Sequence, residues 1–183
     1  MDPTKRVRQE AAKDKSKIPW KARKLIKDLE TGIEVSVANP TITSKRVGKF
    51  VVYDVIGEDK NGSFNCKRRY NAFNELRLKL NQNWPGIFIP PLPEKKKVGN
   101  FDAQFLADRT YWLNSFMVRC SKLPHIFYSE EMQVFLRSAS GSVTKFLAGI
   151  AIDSPSKMLV KFKEHFEDFD EVKKFLNFQL FLF

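Results

Sequence analysis

The hydrophobic period of this chain changes after Tyr70, and that change limits the fold more than any other feature. Before it, "GIEVSV" alternates Ile33, Val35 and Val37 with Glu34 and Ser36, "VGKFVVYDVIG" is dense in Val, Phe and Tyr, and "SFNCKRRY" alternates again. A period of two is that of strands with one buried face. The Asn61-Gly62 pair between the last two runs signals a hairpin turn. After the change, Phe73, Leu76 and Leu80 fall at helical spacing in "NAFNELRLKLNQ", with Asn71 placed to cap. Phe105, Leu106, Trp112, Leu113, Phe116, Met117 and Cys120 draw an apolar stripe along a second helix, which Pro124 breaks. Ser129 caps a third, "SEEMQVFLRS", with acidic residues in its first turn. A run of strands followed by a run of helices predicts an α+β fold: a three-stranded antiparallel sheet, then a helical subdomain.

Between the first two helices lies "IPPLPEKKKVGNF", which has neither period. Its prolines predict a polyproline II loop, stiff and preorganised. Such an arm places Lys95 reproducibly, and Lys96 and Lys97 extend the charge. Val98 and Phe101 beside them form an apolar tip with a basic collar. That pairing suits an anionic bilayer, where each surface Lys is worth about 1 kcal/mol. The plain alternative is a solvated lysine run beside a core phenylalanine. Pro90, Pro93 and Lys95 also fit a PxxPxK ligand for SH3 domains, although a loop packed on the body would be poorly presented.

Two arginine positions stand out. At about 100° per residue, Arg109 lies mid-stripe between Phe105 and Phe116. A lone buried charge costs several kcal/mol, so it must be paired. Either it meets an internal carboxylate, or the edge of the stripe opens onto an anion site. In "KRRY", alternation sends Arg68 and Arg69 to opposite sheet faces and leaves Arg69 at the sheet–helix junction. The planar fork of arginine suits phosphate.

In order, "RRYNAF", "PPLPEK" and "GNFDAQFLADR" resemble the motifs of a phox-homology (PX) domain of the sorting nexin family, over roughly residues 32–138. The resemblance implies phosphoinositide binding without catalysis, most often of phosphatidylinositol 3-phosphate on endosomes, and a role in vesicular trafficking. It implies that Arg69 binds the 3-phosphate, Tyr70 stacks under the inositol ring, Lys95 contacts a neighbouring phosphate and Arg109 bonds the ring hydroxyls. It places the membrane-contacting loop at Lys96, Lys97, Val98 and Phe101. That loop is short, with few large apolar residues, so shallow insertion is expected.

The remaining features bound the setting. The 183 residues carry a formal net charge of +11, which favours an anionic partner without choosing between nucleic acid, membrane and an acidic protein face. Nucleic acid is disfavoured, because the basic residues are not interleaved with exposed aromatics. His125 and His165 sit in different elements with no nucleophile spaced around them, and no Cys/His cluster suggests a metal. No catalytic group and no cofactor is therefore expected. "GEDKNGS" has phosphate-loop glycines but no lysine, so it reads as a turn. Cys66 and Cys120 read as reduced thiols of a reducing compartment. The N-terminus lacks the apolar core of a signal peptide and no apolar run reaches the roughly 18 residues of a spanning helix, so a cytoplasmic protein, peripheral on membranes, is expected. Residues 1–31 read as a basic, partly disordered extension with a short helix from Trp20, and 139–153 as a linker. Residues 154–183 read as an amphipathic helical segment whose stripe, Leu159 to Leu176, must pack on the domain, a second copy, the N-terminal helix or a membrane. Its acidic residues disfavour the bilayer, leaving intramolecular packing, a homodimer or other trafficking proteins.

Overall fold

The computed structural model describes residues 32–45, 48–95, 101–139 and 141–165. The expected N-terminal helix, Lys96, Lys97, Val98 and the stripe beyond His165 lie outside the described residues. The chain divides into two units, Met1–Gly32 and Ile33–Phe183, and every element below belongs to the second.

Strands β1 (Glu34–Lys45), β2 (Gly48–Asp59) and β3 (Gly62–Arg69) form one antiparallel sheet in the order β1-β2-β3. Alternation sets its inner face: Val37, Tyr53, Val55 and Phe64 are all buried. β1 runs on through Pro40 by an irregularity between Ala38 and Thr41, where Asn39 takes a φ of 50°. Proline is tolerated there because β1 is an edge strand. Gly57 permits a close approach: a Cβ would stand 2.0 Å from the Glu34 carbonyl oxygen and 2.6 Å from the Phe64 ring. The turn is the expected hairpin, with Asp59 Oδ1 accepting from the Asn61 N–H at 2.8 Å and Gly62 at φ 98°.

Helix α1 (Tyr70–Asn83) starts one residue before the expected cap. Arg69 holds the cap position with no side-chain bond, because β3 runs straight into the helix and leaves no turn for Asn71 to close. α2 (Ala103–Ser121) is capped by Asp102, which accepts from the Phe105 N–H at 3.1 Å. It lies along β1, where Asn114 Oδ1 accepts from the Val37 N–H at 2.9 Å. Its buried stripe is Leu106, Arg109, Leu113, Phe116, Met117 and Cys120, while Trp112 is exposed. α3 (Pro124–Phe127) and α4 (Glu130–Arg137) follow, α4 capped by Ser129 as expected. Phe73, Leu76 and Leu80 of α1 meet Phe127 and Phe135 in the core, with the Phe73 and Phe135 rings 4.9 Å apart. Neither cysteine is in a disulfide, and burial pushes the Cys120 thiol up to about 12.

The stretch read as a linker, 139–153, contains the short helix α5 (Val143–Gly149), whose Val143 and Leu147 are buried one turn apart. Asn83 then ties the chain back. Its Nδ2 donates to Glu131 Oε1 at 2.6 Å and to the Ala151 carbonyl at 3.2 Å, and its Oδ1 accepts from the Asp153 N–H at 3.0 Å. α6 (Pro155–His165) buries Phe162 against Trp84, ring centroids 6.0 Å apart.

Candidate anion-binding site

The end of β3 separates its two arginines by function. Arg68 points inward and is almost fully buried, donating to the carbonyls of Phe135 at 2.6 Å, Ser138 at 2.7 Å and Lys67 at 3.0 Å. Arg69 points out and is exposed. Its guanidinium lies 4.0 Å over the ring of Phe50, the diagonal neighbour reached through its partner Val52 on β2.

Tyr70, the first residue of α1, lies half-buried beside the proline loop, and its hydroxyl donates to the Pro93 carbonyl. Burial pushes its ionisation up, against the pull of Arg109 and Arg77. The loop is held again where Arg77 Nε donates to the Pro90 carbonyl at 2.8 Å. Pro90 is buried, so the PxxPxK stretch packs on the body instead of standing free.

Arg109 reaches the same place from α2. Its guanidinium lies 4.5 Å over the Tyr70 ring and 4.2 Å over the Phe105 ring, and one Nη donates to the Glu94 carbonyl at 3.1 Å. Among the described residues it forms no ion pair, and its buried Nε has no acceptor. The internal carboxylate that would have explained a mid-stripe arginine is absent from these contacts. A buried cation held by aromatic faces and one neutral carbonyl keeps its charge available to an anion. The hydroxyl of Tyr53 is buried behind it; burial raises its ionisation and Arg109 opposes the rise.

Direct contacts thus join Tyr70, Arg109 and the loop at Pro93-Glu94, with Lys95 exposed next in sequence and Arg69 next to Tyr70. Phe101 stands 41% exposed at the start of α2. Sequence reasoning missed Phe50 and the aromatic support from Phe105, since which strand residue sits diagonal to Arg69 depends on pairing register. Among the described residues no group of three or more His, Cys, Asp or Glu gathers as a metal site, and no helix is long and apolar enough to cross a membrane.

Comparison with known proteins agrees with this fold. Residues 57–139 match the family model of the PX domain. Sorting nexin 1 of Arabidopsis thaliana is 32% identical over 121 residues, which cover 62% of this chain and 30% of the relative. Human sorting nexin-7 is 31% identical over 111 residues, 56% of this chain and 29% of the relative. The chain therefore spans about three tenths of the length of these curated relatives. Among solved structures, a designed CISK PX domain superposes with a TM-score of 0.53 at 27% identity, covering 57% of this chain and 99% of that one. With the antiparallel sheet, the helices and the proline loop all in place, the chain carries a PX domain similar to those of the sorting nexins.

Proposed function

We propose that this protein is a non-catalytic membrane-recruitment module that binds phosphatidylinositol 3-phosphate, acting peripherally on endosomal membranes in trafficking. Arg69 binds the 3-phosphate, Tyr70 lies under the inositol ring, Lys95 contacts a neighbouring phosphate and Arg109 bonds ring hydroxyls. Lys96, Lys97, Val98 and Phe101 meet the bilayer. The observation that carries this reading is Arg109: a buried guanidinium stacked on Tyr70, bonded to the Glu94 carbonyl, with no ion pair among the described residues. A cation kept in that state is poised for an anionic ligand. The matched family and the sorting nexin relatives support the same reading.

The test is vesicle sedimentation. Arg69→Ala removes charge-assisted hydrogen bonds of about 1.5–3 kcal/mol, roughly a 10- to 150-fold loss of affinity for phosphatidylinositol 3-phosphate vesicles. Because Arg69 is exposed and makes no ladder-breaking contact, its melting temperature is expected to stay at the wild-type value. A folded Arg69→Ala protein that binds these vesicles like wild type overturns the assignment.

A further inference from the structure

Arginine and carboxylate partner readily, yet neither arginine of the proposed site is held that way. The Arg69 side chain forms no hydrogen bond and no ion pair among the described residues; what the structure places against it is the face of Phe50, whose ring centroid is 4.0 Å from the guanidinium carbon. Arg109 is held alike, by the faces of Tyr70 and Phe105. The chemistry of the two kinds of support differs. A carboxylate occupies the N–H edge of the guanidinium and would have to be displaced by a phosphate. A ring face attracts the cation through its quadrupole and leaves the whole donor edge in the open. An unsupported arginine also has many rotamers, all but a few of which must be given up on binding.

Resting on the reading above, we infer that Phe50 is the positioning residue for Arg69: its ring preorganises the phosphate fork without using any of the fork's donors. Phe50 is suited to this by register. It lies on β2 two residues from Val52, the partner of Arg69, on the same outward face, and its ring is half-buried. An alternating strand places such a ring beside the cation only when the β2–β3 pairing is in this register, so the hairpin turn at Asn61-Gly62 sets the geometry of the fork.

The experiment compares Phe50→Leu, Phe50→Tyr and Arg69→Ala, singly and with Phe50→Leu combined with Arg69→Ala, on phosphatidylcholine vesicles carrying phosphatidylinositol 3-phosphate. Phe50→Leu keeps an apolar strand residue but removes the quadrupole, and affinity is expected to fall about two- to fivefold. Phe50→Tyr restores a ring face and wild-type affinity. On the Arg69→Ala background Phe50→Leu has no further effect. In the free protein, the Arg69 Nε–H proton resonance loses its ring-current shift in Phe50→Leu and keeps it in Phe50→Tyr. Wild-type affinity in Phe50→Leu, failure of Phe50→Tyr to restore binding, an unmoved Arg69 resonance, or an equal loss on the Arg69→Ala background each overturns the inference. If Arg69→Ala alone binds normally, the site reading itself has failed; if it loses binding while Phe50→Leu does not, only the role of Phe50 has.

Discussion

Arg68 and Arg69 are adjacent in sequence, and substituting each is expected to have opposite consequences. Arg68 is 1% exposed and holds the end of α4 to the sheet through the Phe135 and Ser138 carbonyls, besides its own neighbour Lys67. The guanidinium also lies 5.5 Å from the Phe135 ring centroid. Hydrogen bonds from a charged donor are worth about 1.5–3 kcal/mol each. Counting only the two that bridge to α4 and its cap, at the low end, gives about 3 kcal/mol. The cavity left by truncating a large buried side chain adds roughly 1 kcal/mol more. Arg68→Ala should therefore cost about 4 kcal/mol, which for a domain of this size lowers the melting temperature by about 8–16 °C. Differential scanning calorimetry measures the shift, and vesicle sedimentation at a temperature where both proteins are folded measures the site. Arg69→Ala should do the reverse: little change in melting, a large loss of binding. An Arg68→Ala protein that melts within about 2 °C of wild type would refute the reasoning, because the three bonds would then be worth no more than their solvated equivalents.

Three further outcomes follow from other contacts. Phe162→Ala removes a fully buried ring from Trp84 and should cost about 3–5 kcal/mol, read as a lower midpoint in urea; an unchanged midpoint would mean that α6 adds nothing to the fold. Asp153 is held below the usual carboxylate range: its burial acts to raise it, and the hydrogen bonds from Lys157 and Lys161, at 2.6 Å each, outweigh that. Because the folded state lowers this ionisation, its contribution is present above the unfolded value near about 4 and is lost as the pH falls through the folded one, so melting curves of wild type and Asp153→Asn should converge in acid and separate by pH 7. Arg109→Lys keeps the charge but loses the planar stack on Tyr70 and Phe105, and should weaken vesicle binding at least tenfold; wild-type affinity would show that only charge matters there.

Much of this architecture is written in local pattern. Period two up to Tyr70 and helical period after it determine strands and helices, since each element must turn one face inward. The same alternation separates Arg68 from Arg69 without reference to any distant residue. The hairpin at Asn61-Gly62 and the cap at Ser129 were legible for the same reason: each depends on a few consecutive residues. Other features were decided only when distant segments met. "SASGS" reads as a linker because its residues are small and polar, yet it leads into α5 and a segment anchored by Asn83, some 70 residues earlier in the chain. Asn71 reads as a cap, but the continuity of β3 with α1 left it no turn to close. A mid-stripe arginine calls on electrostatic grounds for a partner, either an internal carboxylate or an external anion; the contacts the fold brought it are the rings of Tyr70 and Phe105 and the Glu94 carbonyl. The place of Phe50 under Arg69 depends on pairing register, which a strand's own sequence carries only as a choice of face. Local pattern determines which side of an element is buried, because that depends on the few neighbours along the chain. Which groups then meet across elements depends on register and packing, and only the tertiary structure decides those.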